Sequence, residues 1–189
     1  MIFPMNKKYF AALLVTGSLS LGSAMAAQTD ETAQLVERQV LSWMNVEVVK
    51  QSSIIQKMVF DCQFYSATPV LKSPDGSESS FGRYQFYSHD GVLGSMTEPY
   101  TTQPLPELQL CIKSGFQVTN QDQAQLLFEA IETVYPNDSM FDQNYAKEII
   151  KKEKEWHLID GEIFDDKKGY VIKVNDKGHV TKVIRSLNL

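Results

Sequence analysis

Apolar and polar residues alternate with period two along several stretches of the chain, the pattern of strands with one buried face. The run Met58-Val59-Phe60-Asp61-Cys62-Gln63-Phe64-Tyr65 alternates about Cys62 and predicts a strand with Met58, Phe60, Cys62 and Phe64 pointing inward. Leu108 to Ile112 also reads as a strand, but its alternation puts Cys111 on the face opposite the leucines, a mismatch that a bulge or a second packing layer would remove. Phe81 to Tyr87 predicts another strand, Tyr84 and Phe86 alternating against Arg83, Gln85 and Tyr87, with Ser88-His89-Asp90-Gly91 as its closing turn. Near the C-terminus, Gly169 to Val174 and His179 to Ile184 flank Asn175-Asp176-Lys177-Gly178. This is a hairpin on a type I turn with a left-handed glycine, Asn175 facing His179, and Tyr170, Ile172, Val174, Val180 and Ile184 on the core side. Trp156 to Ile159 and Glu162 to Phe164, broken at Asp160-Gly161, suggest one more hairpin.

Elsewhere the period lengthens to that of a helix. Asp30 can cap a helix carrying Leu35, Val36, Val40, Trp43 and Met44. Asn120 with Gln123 three residues on has capping-box spacing, and Leu126, Leu127, Ala130, Ile131 and Val134 form a stripe that must end before Pro136. Ser139 and Asp142 repeat the capping pattern ahead of Phe141, Tyr145, Ile149 and Trp156. They predict a helix across Lys147 to Glu155, with Glu148 and Lys152 paired on its solvated face. Val46 to Ser53 shows no decisive period. Proline and Asp-Gly content makes 68–80 and 88–106 long loops, the second extended around Tyr100 by Pro99, Pro104 and Pro106.

These elements imply a single α+β domain, an antiparallel sheet packed by about three helices. The arrangement loosely resembles cystatin-like or NTF2-like folds, in architecture alone and with no shared motif.

Composition adds a compartment. Lys7 and Lys8, the apolar segment Tyr9 to Leu21 and Ala24-Met25-Ala26 make a secretory signal, with cleavage expected after Ala26 and a domain of residues 27–189. Thirteen apolar residues fall short of the roughly 20 that span a bilayer, so no permanent membrane span is expected in the mature chain. In an oxidising compartment two cysteines imply one disulfide, Cys62 to Cys111. Closing a loop of about 50 residues would stabilise the fold by roughly 4 kcal/mol. Wide spacing argues against a redox-active pair, which more often has Cys-x-x-Cys spacing. The chain carries net charge −5, and without a basic patch it is a poor phosphate-backbone binder, so nucleic acid is not an expected partner.

Candidate chemistry is sparse. His89, His157 and His179 have no metal-ligand spacing; Asp160, Glu162, Asp165 and Asp166 lack the regular interval of a calcium loop; and no phosphate-binding, dinucleotide or nucleophile-elbow motif occurs. No cofactor or metal is expected. Asn137-Asp138-Ser139 matches a glycosylation sequon, relevant only in a eukaryotic secretory route. An enzyme would have to use His89 and Asp90 as base and orienting neighbour, with Ser88 or Ser95 as nucleophile, in a small secreted hydrolase. The stronger expectation is a periplasmic or secreted binding protein of inhibitor or immunity type, its loops inside the disulfide circuit presenting Tyr84, Tyr87, His89, Met96 and Tyr100 to another protein or an envelope component. An envelope structural or assembly factor would have the same signature.

Overall fold

A computed structural model describes residues 30–40, 45–80, 82–97, 102–135, 147–163 and 166–189. The signal-like segment, Trp43, Met44, Tyr100, the sequon, Phe141 and Tyr145 lie outside the described residues.

Asp30 begins the fold by capping α1 (Glu31–Gln39), its carboxylate accepting from the backbone N–H groups of Thr32 and Ala33. Then β1 (Asn45–Gln51) occupies the stretch whose sequence was ambiguous. A short helix, α2 (Ile54–Val59), follows, closed by a capping box in which Ser53 and Gln56 satisfy each other's backbone N–H groups. It takes Met58 and Val59 from the strand expected from Met58 to Tyr65. Strand β2 starts only at Gln63 and runs to Lys72, so Met58 is exposed on α2 while Phe60, Cys62 and Phe64 are buried.

The segment expected to be a loop at 68–80 is largely the end of β2 and β3 (Glu78–Ser80), which folds back on it through a turn at Ser73 to Ser77. β4 (Tyr84–His89) and β5 (Val92–Ser95) complete an antiparallel sheet in the order β1-β2-β4-β5, with β3 on β2. The second sheet is β6-β10-β9-β8-β7, from β6 (Gln103–Pro104), β7 (Glu148–Lys152), β8 (Glu155–Ile163), β9 (Asp166–Val174) and β10 (Val180–Ser186). Among the described residues there are two more helices, α3 (Pro106–Cys111) and α4 (Gln121–Val134). The fold is α+β as expected, its described residues forming two antiparallel sheets and four helices where one sheet and about three helices were expected.

Three of the corrections share one cause: a short apolar run does not reveal its own period. Leu108 and Cys111 sit three apart on α3, so both are buried and Leu110 is exposed, which removes the face mismatch that a strand would have created. Ile149 and Trp156 lie on the β7–β8 hairpin rather than on a helix, and Glu148 and Lys152 are strand residues. Strand β8 is continuous across Asp160-Gly161, where the register to β9 shifts. The C-terminal hairpin forms as expected, Asn175 and His179 joined by the Asn175 N–H to the His179 carbonyl at 3.0 Å and Gly178 at φ +80°. However, a register shift between Val180 and Lys182 turns Val183 to the core in place of Ile184.

One large apolar cluster joins the two sheets. It contains Phe64, Met96 and the disulfide from the first half, Ala124, Leu127, Phe128 and Ile131 from α4, and Trp156, Tyr170, Ile172 and Val183 from the second sheet. A smaller cluster packs α1, through Val36 and Val40, on Tyr65, Ala67 and Phe86. Strand β2 therefore gives Phe64 to one core and Tyr65 to the other. The disulfide links Cys62 to Cys111 with Cα atoms 5.1 Å apart. Beside it, the Asp61 N–H donates to the Cys111 carbonyl at 2.9 Å and the Lys113 N–H to the Val59 carbonyl at 3.0 Å. No helix among the described residues is long and apolar enough to cross a membrane.

Candidate functional site

The β4–β5 hairpin holds most of the residues to which sequence pointed. Its connection is Asp90-Gly91, with φ of +49° and +78°, the two left-handed residues of a type I′ turn. The register that follows pairs His89 with Val92, Ser88 with Leu93, Tyr87 with Gly94 and Phe86 with Ser95. Opposed residues in an antiparallel pair share a face, and this sorts the candidates.

Phe86 lies in the smaller core, so Ser88, Ser95 and Tyr84 point to that side; Tyr87, His89, Val92 and Met96 point to the other. Tyr87 crosses Gly94 so closely that a Cβ there would stand 2.5 Å from the ring. The glycine is what lets the ring lie flat across the edge strand. Met96 is 6% exposed in the main core, its N–H donating to the Gln85 carbonyl at 2.8 Å. Tyr87 and Met96 thus anchor the hairpin inward, whereas Tyr84, 41% exposed, and the half-buried His89 remain reachable from outside, on opposite faces. The expected cluster of five is not assembled on one surface, and Tyr100 is outside the described residues.

The same sorting bears on catalysis. His89 Nδ1 is 3.7 Å from the exposed Asp90 carboxylate, but Ser88 and Ser95 project from the opposite face of the sheet. Neither hydroxyl shares a face with the imidazole. The other histidines stand apart: His157 Nε2 is 3.2 Å from Glu155 on β8, and His179 Nε2 is 3.4 Å from Gln117 Nε2. The Lys173 ammonium bonded to Glu155, together with His157, holds that carboxyl below the ordinary range although partial burial opposes this. Among the described residues no group of three His, Cys, Asp or Glu side chains could hold a metal ion.

Sequence reading missed the edge of the hairpin. The bond from Met96 to Gln85 sets the alternation of the ladder, so Phe86–Ser95 and Ser88–Leu93 are the non-bonded pairs. The backbone N–H and C=O groups of Leu93 and Ser95 consequently point away from β4, along the outer edge of the sheet. Edge strands are ordinarily protected by charge or proline. Here β1 carries Glu47 and Lys50, β3 carries Glu78, β6 contains Pro104, and β7 carries Glu148, Lys151 and Lys152. β5, Val92-Leu93-Gly94-Ser95, carries none, and Val92 is 67% exposed. The Asp-Gly dipeptide before Val92 was the available signal, since it is a strong hairpin marker.

No protein-family model, curated protein or solved structure matches the chain.

Proposed function

We propose that this chain is an exported binding protein that takes an extended segment of another protein, free or in the cell envelope, as an added strand on β5. The observation that carries the reading is the unprotected edge: four uncharged residues with outward backbone groups at Leu93 and Ser95. Main-chain hydrogen bonds supply affinity in such recognition, and alternate side chains supply selectivity. His89 and Val92 at the tip of the hairpin would contact the partner, Tyr87 and Met96 would hold the strand rigid from beneath, and Tyr84 would flank the opposite face. Export rests on the N-terminal signal pattern and agrees with the Cys62–Cys111 disulfide.

The test is affinity capture from the exporting cell's envelope and medium with the oxidised mature protein and two edge variants. Ser95→Pro removes an outward N–H, and Ser95→Lys places a charge on the edge. A partner retained by the parent should be lost at least tenfold in both, with the melting temperature unchanged. Equal retention by both folded variants would refute strand addition.

A further inference from the structure

We propose that the cleft beside the Cys62–Cys111 disulfide is a second site, for a small polyanion held through phosphate or carboxylate oxygens. The cleft encloses about 340 Å³, within the size range of small-molecule sites. Lysines from three separate parts of the chain line it: Lys50 on β1, Lys57 on α2 and Lys113 just past α3, with Asp61 the one acid in the lining. In a chain of net charge −5, this local surplus of cations runs against the overall balance.

Two of the ammonium groups are already positioned. Lys50 Nζ donates to Asp30 at 3.1 Å, and Lys113 Nζ donates to the Lys57 carbonyl at 2.5 Å. An ammonium has three donors, so Lys113 keeps two for a ligand, whereas Lys50 also engages Tyr65. Having been ordered in advance, these side chains lose less entropy on binding. Neither Lys57 nor Lys113 is ion-paired among the described residues. Behind them lies the Gln56 carboxamide, a polar group 4% exposed, held by the Ser53 N–H at 3.4 Å and by Gln51 at 3.3 Å. Phe60 and Cys62 add apolar lining.

The disulfide assembles this site. Lys57 and Lys113 come from segments 56 residues apart in sequence, and the cross-link with its two flanking backbone hydrogen bonds sets them side by side. The cleft includes β1, at the edge of the first sheet opposite β5, so the inference stands apart from strand addition.

Amide NMR titration of the oxidised mature protein, with pyrophosphate and with citrate at constant ionic strength, tests it. Saturable shifts at Lys57, Asp61 and Lys113 are expected with at least one anion, the response separating phosphate from carboxylate recognition. Lys57→Gln with Lys113→Gln should weaken that binding tenfold or more; if the double variant is misfolded, the exposed Lys57→Gln alone should weaken it at least threefold. No saturable shift with either anion, or unchanged affinity in a folded lysine variant, would overturn the proposal.

Discussion

The two sheets have the same number of strands and the same antiparallel pairing, yet they are built to different ends. Both apolar clusters draw on the first sheet, through Phe64 on one face and Tyr65, Ala67 and Phe86 on the other. The second contributes to the main cluster only, and it ends in charged β7 on one side and Pro104 on the other. The first sheet thus packs on both faces, and its edge strand β5 carries neither charge nor proline. Tyr87 over Gly94 and Met96 in the main cluster anchor β5 from one face.

Substitutions at the shared strand should have the largest effect. Phe64→Ala removes a ring 1% exposed, packed edge-on against Phe60 with centroids 5.2 Å apart, and is expected to destabilise by about 3–5 kcal/mol in denaturant titration. A loss below about 1 kcal/mol would mean that β2 does not tie the main cluster together. Replacing Cys62 by Ser should cost about 2–5 kcal/mol, and thiol titration of the denatured, unreduced protein should find no free thiol. Two reactive thiols would remove the covalent link from the main cluster.

Smaller effects separate the halves. Asp30 caps α1, and its carboxylate also accepts from Lys50 at 3.1 Å and from the Tyr65 hydroxyl at 3.3 Å. Asp30→Ala should lower stability by about 1–2 kcal/mol and raise hydrogen exchange first in α1 and β1, leaving β8 to β10 protected. Exchange rising equally in both sheets would show that they open as one unit. Within the second sheet, Gly178→Ala should cost about 1 kcal/mol or more. The position has φ +80°, and the new Cβ would meet Thr119 Cγ2 at 2.7 Å. A neutral result would show that the turn relaxes.

The gentlest probe is pH. Burial raises the Asp30 carboxyl, but hydrogen bonds from Lys50, the Ala33 N–H and Tyr65 outweigh it and leave the pKa lowered; Glu155 is lowered chiefly by Lys173. A carboxyl with a depressed folded pKa contributes fully above its unfolded value of about 4, and the contribution fades as pH falls through the folded value. Asp30→Asn and Glu155→Gln should each flatten the acid limb of the stability profile. Unchanged limbs would deny these pairs a part in acid unfolding.

Elements whose instructions are local were readable in advance. Asn120 accepts from the Gln123 N–H at 3.0 Å, and Gln123 reaches back to the Thr119 N–H at 2.8 Å, so α4 begins where its capping residues placed it. The C-terminal turn behaves likewise, Asn175 Oδ1 accepting from the Lys177 and His179 N–H groups at 2.9 and 3.1 Å. Ser53 and Gln56 offered the same kind of signal for α2, but the alternation downstream of Met58 masked it. The β7–β8 hairpin had no comparable marker, because its turn sets Glu153, not glycine or asparagine, at φ +53°. Of the candidate site, the hairpin could be inferred from Asp90-Gly91, whereas the exposure of its edge could not.

Turn dipeptides, helix caps and the two cysteines act over a few residues or by simple count, and they placed the start of α1, α4, the C-terminal turn and the single cross-link, although α1 ends at Gln39 with Leu35 exposed. Which face each strand buries is a different kind of question. Period-two alternation says that Tyr84 and Tyr87 part company, but only the neighbours decide which of them goes inside. Tyr87 is half-buried, its ring over Gly94 and against the main cluster; Tyr84, on the face of the smaller cluster, stays 41% exposed. The convergence of Lys50, Lys57 and Lys113 likewise arises from contacts between segments far apart in sequence. Such contacts exist only once loop closure and burial have brought the segments together, and no local pattern encodes them.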